Sequence, residues 1–123
     1  MTVLCFHEAT VAEFFIKEKK LMLCLEDVDT GSSSNEVQII VNNIFEILVD
    51  DLVENKGSIK MIYDDAEVLT LELFENGFFL LVEWNDFKNK QSLTKAYKIL
   101  GDRLTVNRNK REQREREQRG HPC

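Results

Sequence analysis

The sequence predicts a mainly β fold: an antiparallel β-sandwich or strongly curved sheet built from hairpins, with little helix and a charged C-terminal tail. Three observations carry that expectation. Apolar residues alternate with polar ones in several short runs, the period that turns one side of a strand to a core. Turn-forming residues punctuate those runs at regular spacing. Residues 107–123 hold no apolar side chain before Pro122 and so cannot bury a face. With 123 residues and an apolar fraction of 43%, the chain suffices for one domain with a modest core. Residues 1–106 are assigned to that domain and 107–123 to a basic tail, helical or disordered.

Taken in order, the first hairpin joins residues 11–17, with Phe14 and Ile16 on one side, to a run in which Leu21, Leu23 and Leu25 alternate. Glu18-Lys19 or a slightly longer loop connects them. Gly31-Ser32-Ser33-Ser34-Asn35 reads as a loop. Residues 36–41 follow as a strand that groups Val37, Ile39 and Val41. Residues 44–53 are ambiguous, because Phe45, Ile47 and Val49 alternate while Ile44, Ile47, Leu48 and Leu52 fit helical spacing. The reading adopted is a strand through Val49, then a turn or short helix over 50–54. Residues 58–63 read as a further strand with Ile59, Met61 and Tyr63 on one face.

The strongest local signal is Asn76-Gly77 between two apolar runs, since both residues of the favoured two-residue hairpin turn need positive φ. With that pair as the turn, Glu75 faces Phe78, Leu73 faces Leu80, Leu71 faces Val82 and Leu69 faces Trp84. The leucine side then belongs to the core, Trp84 included. The other side pairs Phe74 with Phe79, Glu72 with Leu81 and Thr70 with Glu83. Residues 85–91 read as a polar loop containing Phe87. A last hairpin turns at Gly101-Asp102 and pairs Ile99 with Leu104 and Tyr97 with Val106.

Charge divides along the chain. Residues 1–102 hold 9 Lys and Arg against 19 Asp and Glu, and residues 103–123 hold 7 against 3, so −10 is followed by +4 in a chain of −6. A body that acidic repels nucleic acid and membrane surfaces and attracts a basic protein. The expectation is a protein partner, no direct nucleic-acid binding and no membrane association. The arginines of the tail alternate with glutamates, which weakens a nucleic-acid reading further. The opening residues show no basic segment leading into a long apolar run, so cytoplasmic residence is expected.

Cys5, Cys24 and Cys123 are an odd number without regular spacing, and neither His7 nor His121 forms a ligand cluster with them. No cofactor, metal site or catalytic residue is expected, and the chain reads as a non-enzyme. Gly-x-Ser-x-Gly, a Gly-rich phosphate loop and His-Glu-x-x-His are all missing. Acidic residues cluster at 26–29, 50–51 and 64–67. Glycoside hydrolysis needs carboxylates facing each other across a substrate, and a calcium loop needs alternating ligands with a terminal Glu. Neither pattern is met, so these are solvated turn acids that together form a negative patch for a basic partner. The candidate partner-binding residues are Asp50, Asp51 and Glu54, then Asp64, Asp65 and Glu67, with Glu72, Phe74 and Phe79 as anchors. Phe74 and Phe79 read either as a second core layer or as an exposed aromatic anchor rimmed by acids.

The stretch from Val11 to Val28, VAEFFIKEKKLMLCLEDV, resembles the opening of small bacterial immunity proteins that accompany polymorphic toxins, including contact-dependent growth-inhibition effectors. Residues 67–73 (EVLTLEL), 80–84 (LLVEW) and 97–104 (YKILGDRL) extend the likeness over most of 11–106, leaving the tail outside it. The resemblance implies a cytosolic antidote that binds the C-terminal domain of its cognate toxin, commonly a basic nuclease, and blocks it. Two other classes stay open: an acidic mimic of nucleic acid, which would need two rows of acids at phosphate-like spacing, and a small enzyme or ligand-binding domain. An exposed edge strand or the tail could also support a homodimer.

Overall fold

The computed structural model describes residues 6, 8–29 and 34–109. Nine antiparallel strands form one sheet: β1 (Thr10–Lys17), β2 (Lys20–Asp29), β3 (Ser34–Asn42), β4 (Glu46–Val49), β5 (Leu52–Val53), β6 (Asp65–Leu73), β7 (Gly77–Asp86), β8 (Gln91–Leu100) and β9 (Arg103–Asn109). Their order across the sheet is β5-β4-β8-β7-β6-β1-β2-β3-β9, and the sheet does not close into a barrel. The mainly antiparallel β fold expected from the sequence is the fold observed. Besides the strands, Lys56–Ser58 forms a single 3₁₀ turn, and no α-helix occurs among the described residues.

Alternation explains the core. Leu21, Leu23 and Leu25 of β2, Val37, Ile39 and Val41 of β3, and Phe78, Leu80, Val82 and Trp84 of β7 are all buried. Extra residues in β1 (between Val11 and Glu13), β2 (between Leu25 and Val28) and β6 (between Val68 and Thr70) disrupt the ladders, and such bulges sharpen twist and curl a sheet. Phe14, Trp84 and Tyr97, from β1, β7 and β8, meet in the interior. The rings of Phe14 and Tyr97 stand edge to face at 4.9 Å, and Phe14 lies 6.5 Å from Trp84. The indole N–H of Trp84 donates to the Tyr97 hydroxyl at 3.2 Å, which lets two polar aromatics sit in an apolar core.

The first hairpin forms as expected: Lys17 faces Lys20 across a Glu18-Lys19 turn, with Glu18 at φ 61. The β6–β7 hairpin also forms, in a different register. Glu75-Asn76 is the turn, Leu73 faces Phe78, Leu71 faces Leu80, Glu72 faces Phe79 and Thr70 faces Leu81. Past the bulge at Leu69, Val68 faces Val82, Ala66 faces Trp84 and Glu67 faces Glu83. Val68 and Ala66 take the buried places expected for Leu71 and Leu69, while Leu73 sits at the rim, 37% exposed. Gly77 is withheld from the turn because β8 needs it: a Cβ there would stand 2.0 Å from the Ile99 carbonyl oxygen.

Three further expectations are corrected, and one left open is decided. Gly101-Asp102 does not join a β8–β9 hairpin; β9 pairs with β3 instead, Val41 facing Leu104 and Ile39 facing Val106. The Gly101 amide bonds to the Asn76 carbonyl and the Asp102 amide to the Asn42 carbonyl, turning the chain away from β8. Residues 58–63 are not a strand. Their half-buried Met61, Ile62 and Tyr63 are consecutive, as in a connection laid over a core rather than a pleated strand. Of the two forms expected after the strand through Val49, a turn or a short helix, the turn is the one found: Asp50 and Asp51 both take positive φ (53° and 69°) and return the chain into β5. The loops around 31–35 and 85–91 are shorter than expected, since Ser34 and Asn35 begin β3, Asn85 and Asp86 end β7, and Gln91 opens β8. At the C-terminal end β9 runs through Asn109, and the rest of the expected tail lies outside the described residues, as do Cys5, His7, His121 and Cys123. No helix in the described residues is long and apolar enough to cross a membrane.

Candidate partner-binding face

Residues directly opposite in a ladder share a face, so the register places the outward side chains in rows. One row crosses five strands: Glu26 (β2), Thr10 (β1), Glu67 (β6), Glu83 (β7) and Thr94 (β8). With strands about 4.8 Å apart, Glu67 and Glu83 stand about 5 Å from each other across the ladder and Glu26 about 10 Å beyond Glu67. None of the three pairs with a Lys or Arg among the described residues. Like charges directly opposite in a sheet are destabilising, so the Glu67–Glu83 opposition works against folding. Beside this row lie Thr70, Leu81 and Ala96, then Glu72, Phe79, Lys98 and Leu48. Leu81 and Phe79 are half-buried, and Phe74 lies opposite Gly77 at the end of the same face. A carboxylate row thus borders an apolar strip on one sheet surface.

The expected site residues separate into three groups. Glu67, Glu72, Phe74 and Phe79 come together on this face. Asp65 belongs to it by position, but its carboxylate accepts from the Asn85 amide at 2.9 Å. Asp64 is exposed just before β6. Asp50, Asp51 and Glu54 lie at the far edge of the sheet, around β5. Asp50 is a structural residue there: its carboxylate accepts from the Ala96 amide at 2.9 Å and meets the Lys95 ammonium at 3.3 Å, tying the β4–β5 turn to β8. Glu54 accepts from the Ser58 hydroxyl at 2.8 Å. Asp51 is exposed, beside Leu52 and Val53, which are 65% and 81% exposed on the edge strand.

The row also contains Glu83, which the sequence reading passed over as a binding residue, and Glu26, which it placed in the acidic cluster at 26–29 but not among the candidate binding residues. A turn placed one residue earlier and a bulge at Leu69 bring Glu83 opposite Glu67 rather than Thr70, and neither leaves a mark in the apolar pattern. Glu13 lies one row away, opposite Cys24, whose thiol donates to the Glu13 carboxylate at 3.6 Å. Burial, reinforced by Glu13 and Glu36, pushes the Cys24 thiol up from 9.0 to about 11. It is therefore protonated at neutral pH, a poor nucleophile and a poor metal ligand. No group of three or more His, Cys, Asp or Glu placed to hold a metal ion occurs among the described residues. Glu26–Thr10–Glu67–Glu83–Thr94 is the one outward row with more than one carboxylate among the described residues, whereas a nucleic-acid mimic would need two. Comparison with protein-family models, with curated proteins and with solved structures gave no match.

Proposed function

We propose that this chain is a non-enzymatic binding protein that captures a basic protein on the outer face of β6 and β7, and that it serves as a cytoplasmic immunity protein for a cognate toxin. The observation that supports this most is the opposition of Glu67 and Glu83, uncompensated by any described cation and bordered by Leu81 and Phe79. A sheet selected for folding alone gains by placing a neutral or basic residue at either position. Keeping two acids there makes sense if a cationic partner supplies the missing charge. The carboxylates would steer association, and the apolar strip would hold the complex once water is expelled. The test is to read the neighbouring reading frame and, where it encodes a large secreted protein, to co-express this chain with that protein's C-terminal domain; absence of such a frame counts against the immunity reading. The two should co-purify, and Glu67→Gln with Glu83→Gln should slow association at least tenfold at low salt while sparing the fold. Absence of a complex, or kinetics indifferent to both substitutions and to salt, would overturn the proposal.

A further inference from the structure

The outer side of β1, β2, β3 and β9 is graded along the strands. Leu21, Leu23, Val37, Ile39 and Val41 point inward, so their neighbours in sequence point out. At one end Lys17 faces Lys20, and Asn42 faces Arg103. The three cations are exposed, and none forms an ion pair among the described residues. Two positions along the strands lies a mostly apolar row, Phe15, Met22, Ile40 and Thr105, with Phe15 39% exposed and the rest half-buried. Two positions further, Glu13 faces Cys24 and Cys24 faces Gln38, and beyond Gln38 comes Glu36, opposite Asn109. Basic end, apolar middle and acidic end therefore follow one another on a single surface.

Such a surface is its own complement. A foreign acidic protein would match one end and a foreign basic protein the other, whereas a second copy of this chain satisfies both. We propose that the chain forms a weak two-fold dimer through this face, the basic end of each copy seated on the acidic end of the other. With the axis normal to the sheet between Met22 and Ile40, Met22 of one copy lies over Ile40 of the other. Arg103 of one copy then lies over Glu13 of the other, and each contact is made twice. From β1 to β9 is three strand spacings and from Asn42 to Glu36 six residues, so the footprint with its margins is about 400 Å² per copy. That is half of the roughly 800 Å² that each side of a stable interface buries, so the dimer forms only at high protein concentration. It leaves the outer face of β6 and β7 open on both copies, and so offers that face twice to a multivalent partner.

The test needs no partner protein, so its outcome is separate from that of the immunity reading. It is run in about 150 mM salt, where a screening length of about 8 Å limits the repulsion between two chains of net charge −6. In sedimentation equilibrium the mean mass should climb from 14.4 kDa towards twice that value as the protein is raised from about 10 µM to about 1 mM. Glu13→Arg and Arg103→Glu should each weaken dimerisation about tenfold. Together they should restore it to within about threefold of the parent, because the exchanged charges meet again across the axis. Both positions are exposed on the outer side, and the fluorescence of the buried Trp84 checks that each variant is folded. A readout without any variant is the movement of amide resonances with concentration. Those of Phe15, Met22, Ile40 and Thr105 should move, and those of Glu67, Leu81 and Glu83 should not. A mass of 14.4 kDa at every concentration would sink the proposal. So would a dimer indifferent to both charge reversals, as a pairing of edge strands or tails would give, or one that the double variant fails to restore. Resonances that move at Glu67 and Glu83 instead would sink it too.

Discussion

Replacing Tyr97 by Phe tests the interior with a single oxygen atom. Trp84 and Tyr97 are 0% and 1% exposed, and the indole N–H donates to the Tyr97 hydroxyl at 3.2 Å. The Y97F chain keeps the ring, and with it the edge-to-face contact with Phe14 at 4.9 Å. What it loses is the acceptor, leaving a buried N–H without a partner, which costs about 1–3 kcal/mol. At about 4 °C per kcal/mol for a domain of this size, the melting temperature should fall by about 4–12 °C at pH 7. The same substitution makes a second, independent prediction. Burial, helped by the charge of Asp50 and opposed by the Trp84 hydrogen bond, pushes the Tyr97 hydroxyl from 10.0 up to about 12. The unfolded chain therefore gives up this proton before the folded one does. Stability owed to the neutral phenol is intact below pH 10 and drains away as pH rises from 10 to 12. The Y97F chain has no such proton, so its deficit against the parent should shrink over that window. Urea unfolding followed by the fluorescence of Trp84, the single tryptophan, reads both effects. Equal stability at pH 7, or a deficit that stays constant from pH 7 to 12, would refute the reasoning.

Cys24 should behave likewise over a lower window: its thiol is raised from 9.0 to about 11, so Cys24→Ala should flatten the loss of stability between pH 9 and 11 in a pH-resolved unfolding series. With Cys24 as the sole cysteine, Glu13→Gln should speed alkylation at pH 8, because it removes a negative charge that favours the protonated thiol. Gly77→Ala should destabilise by about 3 kcal/mol or more in chemical denaturation, since the new methyl would stand 2.0 Å from the Ile99 carbonyl oxygen and the β7–β8 ladder would have to open. Glu83→Gln should stabilise the isolated protein by roughly 0.2–1 kcal/mol at low salt by relieving the Glu67 opposition, measured in urea. Asp50→Ala should destabilise and raise protease sensitivity around Leu52 and Val53, while Asp51→Ala should not, because only Asp50 holds the turn to β8.

The faces of the strands were legible in the sequence and their partners were not. Leu21, Leu23 and Leu25, then Val37, Ile39 and Val41, point inward as alternation requires, and Leu104 and Val106 face the core although β9 pairs with β3 rather than β8. The β6–β7 register shows why. The Asn76-Gly77 turn and the observed Glu75-Asn76 turn give registers that differ by two residues, and a two-residue shift leaves every side chain from Thr70 to Phe74 on its own face; only the bulge at Leu69 exchanges the faces beyond it. Hydrophobic alternation cannot sense such a shift. What decides it is the demand of a third strand, β8, for a residue without a side chain at position 77, a long-range contact absent from local sequence. The same limit hid the carboxylate row itself, because Glu26, Glu67 and Glu83 become neighbours only after two bulges and three strand pairings are fixed.

The structure divides the acids by function more sharply than composition can. Asp50 and Asp65 both sit in clusters that look alike in sequence, yet each carboxylate is engaged by groups of the chain itself, Ala96 and Lys95 in one case and Asn85 in the other. An engaged carboxylate has little to offer a partner, since binding would first have to break bonds that hold the fold. Glu67 and Glu83 are in the reverse condition: their mutual repulsion is a debt the folded chain carries alone and a basic partner would relieve. Net charge alone would spread the attraction over the whole molecule, whereas this division concentrates it on one row beside Leu81 and Phe79. Stability and binding should therefore move in opposite directions when Glu67 or Glu83 is neutralised, and in the same direction when Asp50 is, because its loss loosens the sheet on which that row is built.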